Sequence, residues 1–178
     1  MLYIKPANTF ARDGEKIALP PKADTVEVYG TLGIVIGQSA RRVNARDAMR
    51  AVRGYVVAAD LTLPHESLYR PPIREKCFDG ALPLGSGFVE RNAIADPARL
   101  EVRISVNGMV MQRWPLARLA RPIPRLIADI SAFLTLEPGD ILLAAAVAPA
   151  PRARLGDLIA VEIPGIGRIE NRIGEAIP

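Results

Sequence analysis

Asp60 is the residue around which chemistry can be built in this chain. It closes an apolar run at residues 54–59, and an irregular segment with Pro64, Pro71, Pro72 and the cations Arg70, Arg74 and Lys76 follows it. That segment ends on Phe78-Asp79-Gly80, then Pro83 and Gly85. A buried strand that delivers a carboxylate to its end, followed by a basic loop, is one way to build an anion site. Loops held by a rigid scaffold are where binding residues concentrate. The same pattern also describes a solvated surface loop after a core strand. The single cysteine, Cys77, and the single histidine, His65, lie in this loop. A thiol–imidazole pair is possible on paper, but a cysteine without a chemical role is the simpler expectation.

The elements that must position these residues are read from pattern. The chain has 178 residues, suited to one domain, and is 49% hydrophobic but only 5% aromatic, so its core must be aliphatic. The 16 prolines and 14 glycines argue for short strands and ordered turns rather than a helical bundle. The net charge of +4 suits a basic surface or a site for a multiply charged anion. Nucleic acid is disfavoured, because the arginines are scattered and no aromatics interleave with them. No apolar run approaches the roughly 20 residues that cross a bilayer, and residues 1–5 lack a signal-peptide pattern. One cysteine excludes an internal disulfide and fits a reducing cytoplasm.

Strands are predicted at Leu2–Lys5, Val26–Gly37, Gly54–Ala59, Arg99–Val106, Met109–Trp114, Ile141–Val147 and Leu158–Ile163. Val26, Val28, Leu32, Ile34 and Ile36 share one parity, and Glu27, Tyr29 and Thr31 the other, so the latter three face one side. Asn107-Gly108 is the strongest short-range hairpin signal available. Helices are predicted near Asn44–Val52, capped by Asn44, and Pro122–Leu134, with Pro124 tolerated only in the first turn.

Gly54-Tyr55, Asp60, Tyr69-Arg70-Pro71, Lys76, Asp79-Gly80 and Pro83 fall in the order seen in the fumarylacetoacetate hydrolase superfamily, which the chain therefore resembles. Lys5-Pro6 with Thr9, Leu136-Glu137-Pro138-Gly139-Asp140 and Gly165, Gly167, Asn171 extend the likeness to both ends. The run Leu63-Pro64, Glu66-Ser67, Tyr69-Arg70-Pro71 and Lys76-Cys77 is most similar to the N-terminal copy of the tandem decarboxylase/isomerases of the homoprotocatechuate pathway. The resemblance implies a mixed-β fold with few helices, a β-roll or sandwich formed by one domain over residues 1–178. It implies a dimer, or pairing with a catalytic paralogous subunit. It also implies action on 2-oxo or 2-hydroxy-dienoic di- or tricarboxylates in aromatic catabolism.

Members of the superfamily hold Mg²⁺ or Mn²⁺ with a Glu-x-Glu pair and one Asp, and the cation stabilises negative charge that develops on oxygen. The resemblance places Asp60 as the metal ligand, Lys76 as a catalytic residue, and Lys5, Arg70, Lys76 and Asp79 as substrate-binding residues. It also places Tyr29 and Thr31 where the two glutamates stand. Ala144-Ala145-Ala146-Val147 replaces a Thr-Gly-Thr-Pro that contacts the bound acid, and Leu63-Pro64 replaces an Arg-Asp pair. The family's lid, with its His–Glu pair, is expected to be absent from this chain. Metal is therefore expected to bind weakly or not at all, and the isolated chain to be weakly active or inactive. Three readings follow: a metal-dependent decarboxylase/isomerase subunit, a degenerate partner of a catalytic subunit, or a metal-free binder of small dicarboxylates.

Overall fold

In a computed structural model of the chain, residues 2–65, 72–144 and 147–175 are described. Glu66, Ser67, Tyr69, Arg70 and Pro71 of the basic segment, and Ala145 and Ala146, lie outside these residues.

The strands are β1 (Phe10–Arg12), β2 (Ile17–Leu19), β3 (Thr25–Ile36), β4 (Val52–Thr62), β5 (Leu82–Leu84), β6 (Val89–Glu90), β7 (Glu101–Val106), β8 (Met109–Pro115), β9 (Ile141–Leu143), β10 (Arg152–Arg154), β11 (Leu158–Ile163) and β12 (Gly167–Glu175). Two α-helices accompany them, α1 (Ile73–Lys76) and α2 (Ile123–Ser131). One sheet runs β1-β5-β4-β3-β10, with β6 on β4 and β9 on β3; the other runs β2-β12-β11-β7-β8. This is the mixed-β architecture with few helices expected from the pattern.

The long antiparallel pair of β3 and β4 forms the spine of the first sheet. Val26, Val28, Leu32, Ile34 and Ile36 from β3, with Tyr55, Val57, Ala59 and Leu61 from β4, are buried in the core. The second sheet supplies Val102, Ile104, Ile159, Val161, Ile169 and Ile173 to the same core. Gly30 marks a close approach of the layers. A Cβ built there would stand 2.8 Å from Val161, 2.9 Å from Ile104 and 3.0 Å from Val102. Glycine is needed at this point because two sheets meet where a side chain would otherwise stand.

The opposite face of the spine carries the polar residues. Tyr29 pairs with Asp60, Glu27 with Thr62 and Thr31 with Ala58. Because side chains alternate along a strand, Glu27, Tyr29, Thr31, Asp60 and Thr62 all emerge on this one face.

Several predicted elements have different limits. Residues 2–5 form no strand; Lys5 sits in an extended segment that leads to a short 3-10 turn at Ala7–Thr9. The expected helix near Asn44–Val52 is a turn followed by a 3-10 segment at Ala48–Ala51. Asn44 does accept a hydrogen bond from the Asp47 backbone at 3.0 Å, so the capping signal was read correctly but the helix behind it does not continue. Val52 instead opens β4, where β-branched and aromatic residues favour the sheet. The strand expected to reach Val147 stops at Leu143. The hairpin behaves as expected: Asn107 and Gly108 have φ of 50° and 81°, the left-handed pair that a type I′ turn requires.

Candidate functional site

Three elements converge on Asp60. β4 carries Asp60 and Thr62, and β3 carries Tyr29 directly across from Asp60. α1 is tied to the end of β4 by the Leu63 backbone, which donates to the Glu75 carbonyl at 2.8 Å, and this brings Lys76 back over the sheet. Residues 2–9 cross the same face and deliver Lys5.

The two lysines hold the two oxygens of Asp60 separately. Lys5 Nζ lies 2.7 Å from Oδ1 and Lys76 Nζ lies 3.2 Å from Oδ2. Lys76 also donates to Thr62 Oγ1 at 2.7 Å. Its ammonium stands 5.2 Å from the Tyr3 ring centre and 5.4 Å from that of Tyr29. Both distances are within the range of a cation–π contact. Lys5 donates as well to the carbonyl of Lys76 and, at 3.4 Å, to that of Ala81. The lysine side chains are 8% and 12% exposed and the Asp60 side chain 19%, so solvent screens these charges poorly. Burial pushes the Lys5 ammonium below its usual pKa, and the neighbouring Asp60 carboxylate opposes that fall.

Glu27 is engaged elsewhere. Arg152 of β10 pairs with it at 3.0 Å, and the Tyr29 hydroxyl donates to it at 3.1 Å. Burial, reinforced by the Glu27 charge and this hydrogen bond, pushes the Tyr29 phenol up to about 12. Arg152 was not singled out from the sequence, because its place opposite Glu27 depends on β10 pairing with β3. Tyr3 was missed for a similar reason: its contact to Lys76 depends on how the segment of residues 2–5 lies over the sheet.

The other candidates fall as follows. Asp79 accepts from Asn8 Nδ2 at 2.6 Å and so fastens the segment that bears Lys5. Thr31 is buried on the same strand face as Tyr29. Arg70 lies outside the described residues. Cys77 sits by the Ile4 carbonyl and His65 is exposed. An apolar cavity of about 330 Å³, lined in part by Met49, Leu116, Leu119 and Ile123, shares none of these residues.

The model of the fumarylacetoacetate (FAA) hydrolase C-terminal family matches residues 1–174. The chain belongs to the fumarylacetoacetate hydrolase family. Family relatives include the homoprotocatechuate catabolism bifunctional isomerase/decarboxylase of Escherichia coli, 38% identical over 175 residues that cover 97% of this chain and 40% of the relative. The mitochondrial oxaloacetate tautomerase of Caenorhabditis elegans is 34% identical over 164 residues, covering 89% of this chain and 76% of that protein. This chain spans about two fifths of the length of the bifunctional relatives it matches.

Among solved family structures, the 5-carboxymethyl-2-hydroxymuconate delta-isomerase of Mycobacterium smegmatis superposes with a TM-score of 0.91 at 31% identity, covering 99% of this chain and 69% of that one. The maleylpyruvate hydrolase of a Sphingobium species, in complex with manganese(II) and pyruvate, superposes with a TM-score of 0.87 at 26% identity, covering 98% of this chain and 64% of that one. A divalent metal is thus part of the family's chemistry. In this chain, among the described residues, no three His, Cys, Asp or Glu side chains are grouped so that they could hold a metal ion. Asp60 offers neither oxygen free of an ammonium. Tyrosine and threonine, at positions 29 and 31, supply no carboxylate beside it. Among the described residues, the donor set does not fit Mg²⁺ or Mn²⁺, which take hard oxygen ligands and, for Mg²⁺, near-ideal octahedral geometry. No helix among the described residues is long and apolar enough to cross a membrane.

Proposed function

We propose that this chain is a subunit of a decarboxylase/isomerase of aromatic-compound catabolism that acts on 2-oxo or 2-hydroxy-dienoic di- or tricarboxylates, and that its own site takes no divalent cation. The observation that carries this reading is the face around Asp60, where Tyr29 and Thr31 supply no carboxylate and Lys5 and Lys76 hold both Asp60 oxygens. Without a cation there is no Lewis acid to draw charge onto the oxygen of a 2-oxo acid. The chain then serves the reaction by pairing with a paralogous copy that keeps the Glu-x-Glu carboxylates, and its own cleft contributes stability rather than turnover.

Co-expression with such a copy tests this. The expected result is a complex that survives purification, with all bound metal and all decarboxylation assigned to the paralogous copy. Mg²⁺-dependent turnover by this chain alone, with micromolar metal affinity, would overturn the proposal.

A second reading has one observation in its favour. Two ammonium groups against a single carboxylate leave the cluster with a net positive charge, which suits a small anion without metal. Titration with oxalate in the presence of chelator separates this metal-free binder from the partner subunit: a saturable heat abolished by Lys76→Met supports it.

A further inference from the structure

The Lys5 ammonium is held as a cation is held, by oxygens alone. One is the Asp60 carboxylate at 2.7 Å; the others are the carbonyls of Lys76 and Ala81. Its side chain is 8% exposed, yet the segment that brings it is otherwise poorly buried, with Leu2 47% and Ile4 75% exposed. Polar contacts hold the rest of that segment: Asn8 to Asp79 at 2.6 Å, and the Gly80 backbone to the Asn8 carbonyl at 3.1 Å. As far as the fully buried Thr9, this stretch is fastened by polar contacts with its aliphatic side chains in solvent, so it can lift away without opening the core.

We propose that residues 2–9 form an intramolecular plug whose Lys5 ammonium stands at Asp60 in place of a divalent cation, so that docking of this segment and metal binding at Asp60 exclude each other. The inference rests on the reading that the native site takes no metal, and adds the cause. A cation coordinated by Asp60 needs metal–oxygen distances of about 2.0–2.1 Å for Mg²⁺, and Lys5 Nζ already stands 2.7 Å from Oδ1. Lys76, on Oδ2 and between the rings of Tyr3 and Tyr29, closes the other approach. With two positive charges around one negative charge, the site repels an incoming cation before any ligand is displaced. Glu27 does not offset this, because Arg152 neutralises it.

The plug is tested with Mn²⁺ as the probe, by electron paramagnetic resonance and calorimetry, and by hydrogen exchange of the Gly80 amide, which donates to the Asn8 carbonyl when the segment is docked. Tyr29→Glu with Thr31→Glu places two carboxylates on the strand face opposite Asp60 and Ala58. This double variant is expected to bind Mn²⁺, and binding is expected to strip exchange protection from the Gly80 amide. Adding Lys5→Met to it should tighten Mn²⁺ at least tenfold. Less than a twofold change, or full protection of the Gly80 amide in the metal-bound protein, would overturn the plug.

A variant pair on the otherwise native chain keeps the question answerable if the carboxylate variant fails to fold. Lys5→Met should unprotect the Gly80 amide while Lys5→Arg preserves it, and Gly80 protection unchanged in Lys5→Met would overturn the plug as well. Micromolar Mn²⁺ binding by the unaltered chain would instead overturn the reading of a metal-free site, so the two failures are distinguishable.

Discussion

Tyr29 on β3 and Asp60 on β4 are direct partners in the antiparallel ladder, on the face turned away from the core. Tyr29 does not bond to its partner. Its hydroxyl turns along the strand to Glu27, while its ring flanks the Lys76 ammonium that binds Asp60. Tyrosine at this position thus divides the face in two: a Glu27–Arg152 pair on one side and an Asp60–lysine cluster on the other.

Removing the centre of that cluster leaves two poorly hydrated ammonium groups facing each other. Asp60→Ala is expected to lower stability by about 3 kcal/mol, the cost of breaking a buried ion pair from one side. Lys5→Met in the Asp60→Ala background should recover part of the loss, because it removes one of the stranded charges. Denaturant melts of the two single variants and the double variant measure this coupling. Purely additive effects would show that Lys5 and Asp60 do not interact.

Tyr29 sets a pH dependence at the alkaline end. Its folded-state pKa of about 12 lies above the ordinary 10.0, so the unfolded chain loses the phenolic proton first. The stabilisation is therefore fully present below about pH 10 and is lost as pH rises through the folded value. Stability measured against pH should fall more steeply in the native chain than in Tyr29→Phe over this window, since all other groups are common to both. Parallel curves would mean that the phenol is not held in its buried place beside Glu27 in solution.

Gly30→Ala tests the spacing of the two sheets. The added methyl would meet Val161, Ile104 and Val102 at 2.8–3.0 Å, all of them core side chains that cannot swing aside into solvent. Overpacking of this kind costs about 1–3 kcal/mol. Thermal melting should show the loss with the lysine cluster untouched, because position 30 faces away from Asp60. A neutral result would mean that the sheets separate more easily than their packing suggests.

Asp157 links the β7–β8 hairpin to the turn before β11. Its carboxylate accepts from the Arg154 backbone at 2.7 Å and from Asn107 Nδ2 at 2.8 Å, and Asn107 Oδ1 accepts from the Leu158 backbone at 2.9 Å. The Arg154 backbone bond first, and then the Asn107 amide, hold its pKa below the ordinary 3.8. Its contribution is present above the ordinary value and fades as pH falls through the lowered one. Asp157→Ala should cost about 1 kcal/mol at neutral pH, and the gap to the native chain should narrow in acid. Chemical denaturation at both pH values checks this.

Long strands with clear alternation were legible in the sequence. The two parities of Val26–Gly37 separate the core from the polar face as β3 does, and Leu158–Ile163 coincides with β11. The Asn107-Gly108 turn was legible because only a few residues accept positive φ at both central positions. β1, β2, β5 and β10 were not legible: three residues carry no measurable period, and partners far away in the chain define them. At the site, the order of Lys5, Asp60 and Lys76 was visible as a family likeness. That both lysines would meet on one carboxylate was not, since residues 2–5 read as a strand but form an extended segment outside both sheets, and α1 is a single turn. Arg152 at Glu27 belongs to the same class of long-range facts.

The parallel pairing of β2 with β12 has a consequence in time. Ile17 lies beside Ile173, and Asn171 of β12 donates to the carbonyls of Arg12 and Glu15. β2 must therefore wait for β12, which is made much later. At synthesis rates of about 5–20 residues per second, that wait is roughly 10–30 s. During it, the β3–β4 spine can form while Ile17 and Leu19, both buried in the finished protein, have no sheet to join. The interval in which a nascent chain most needs a chaperone is thus written into the order of its strands.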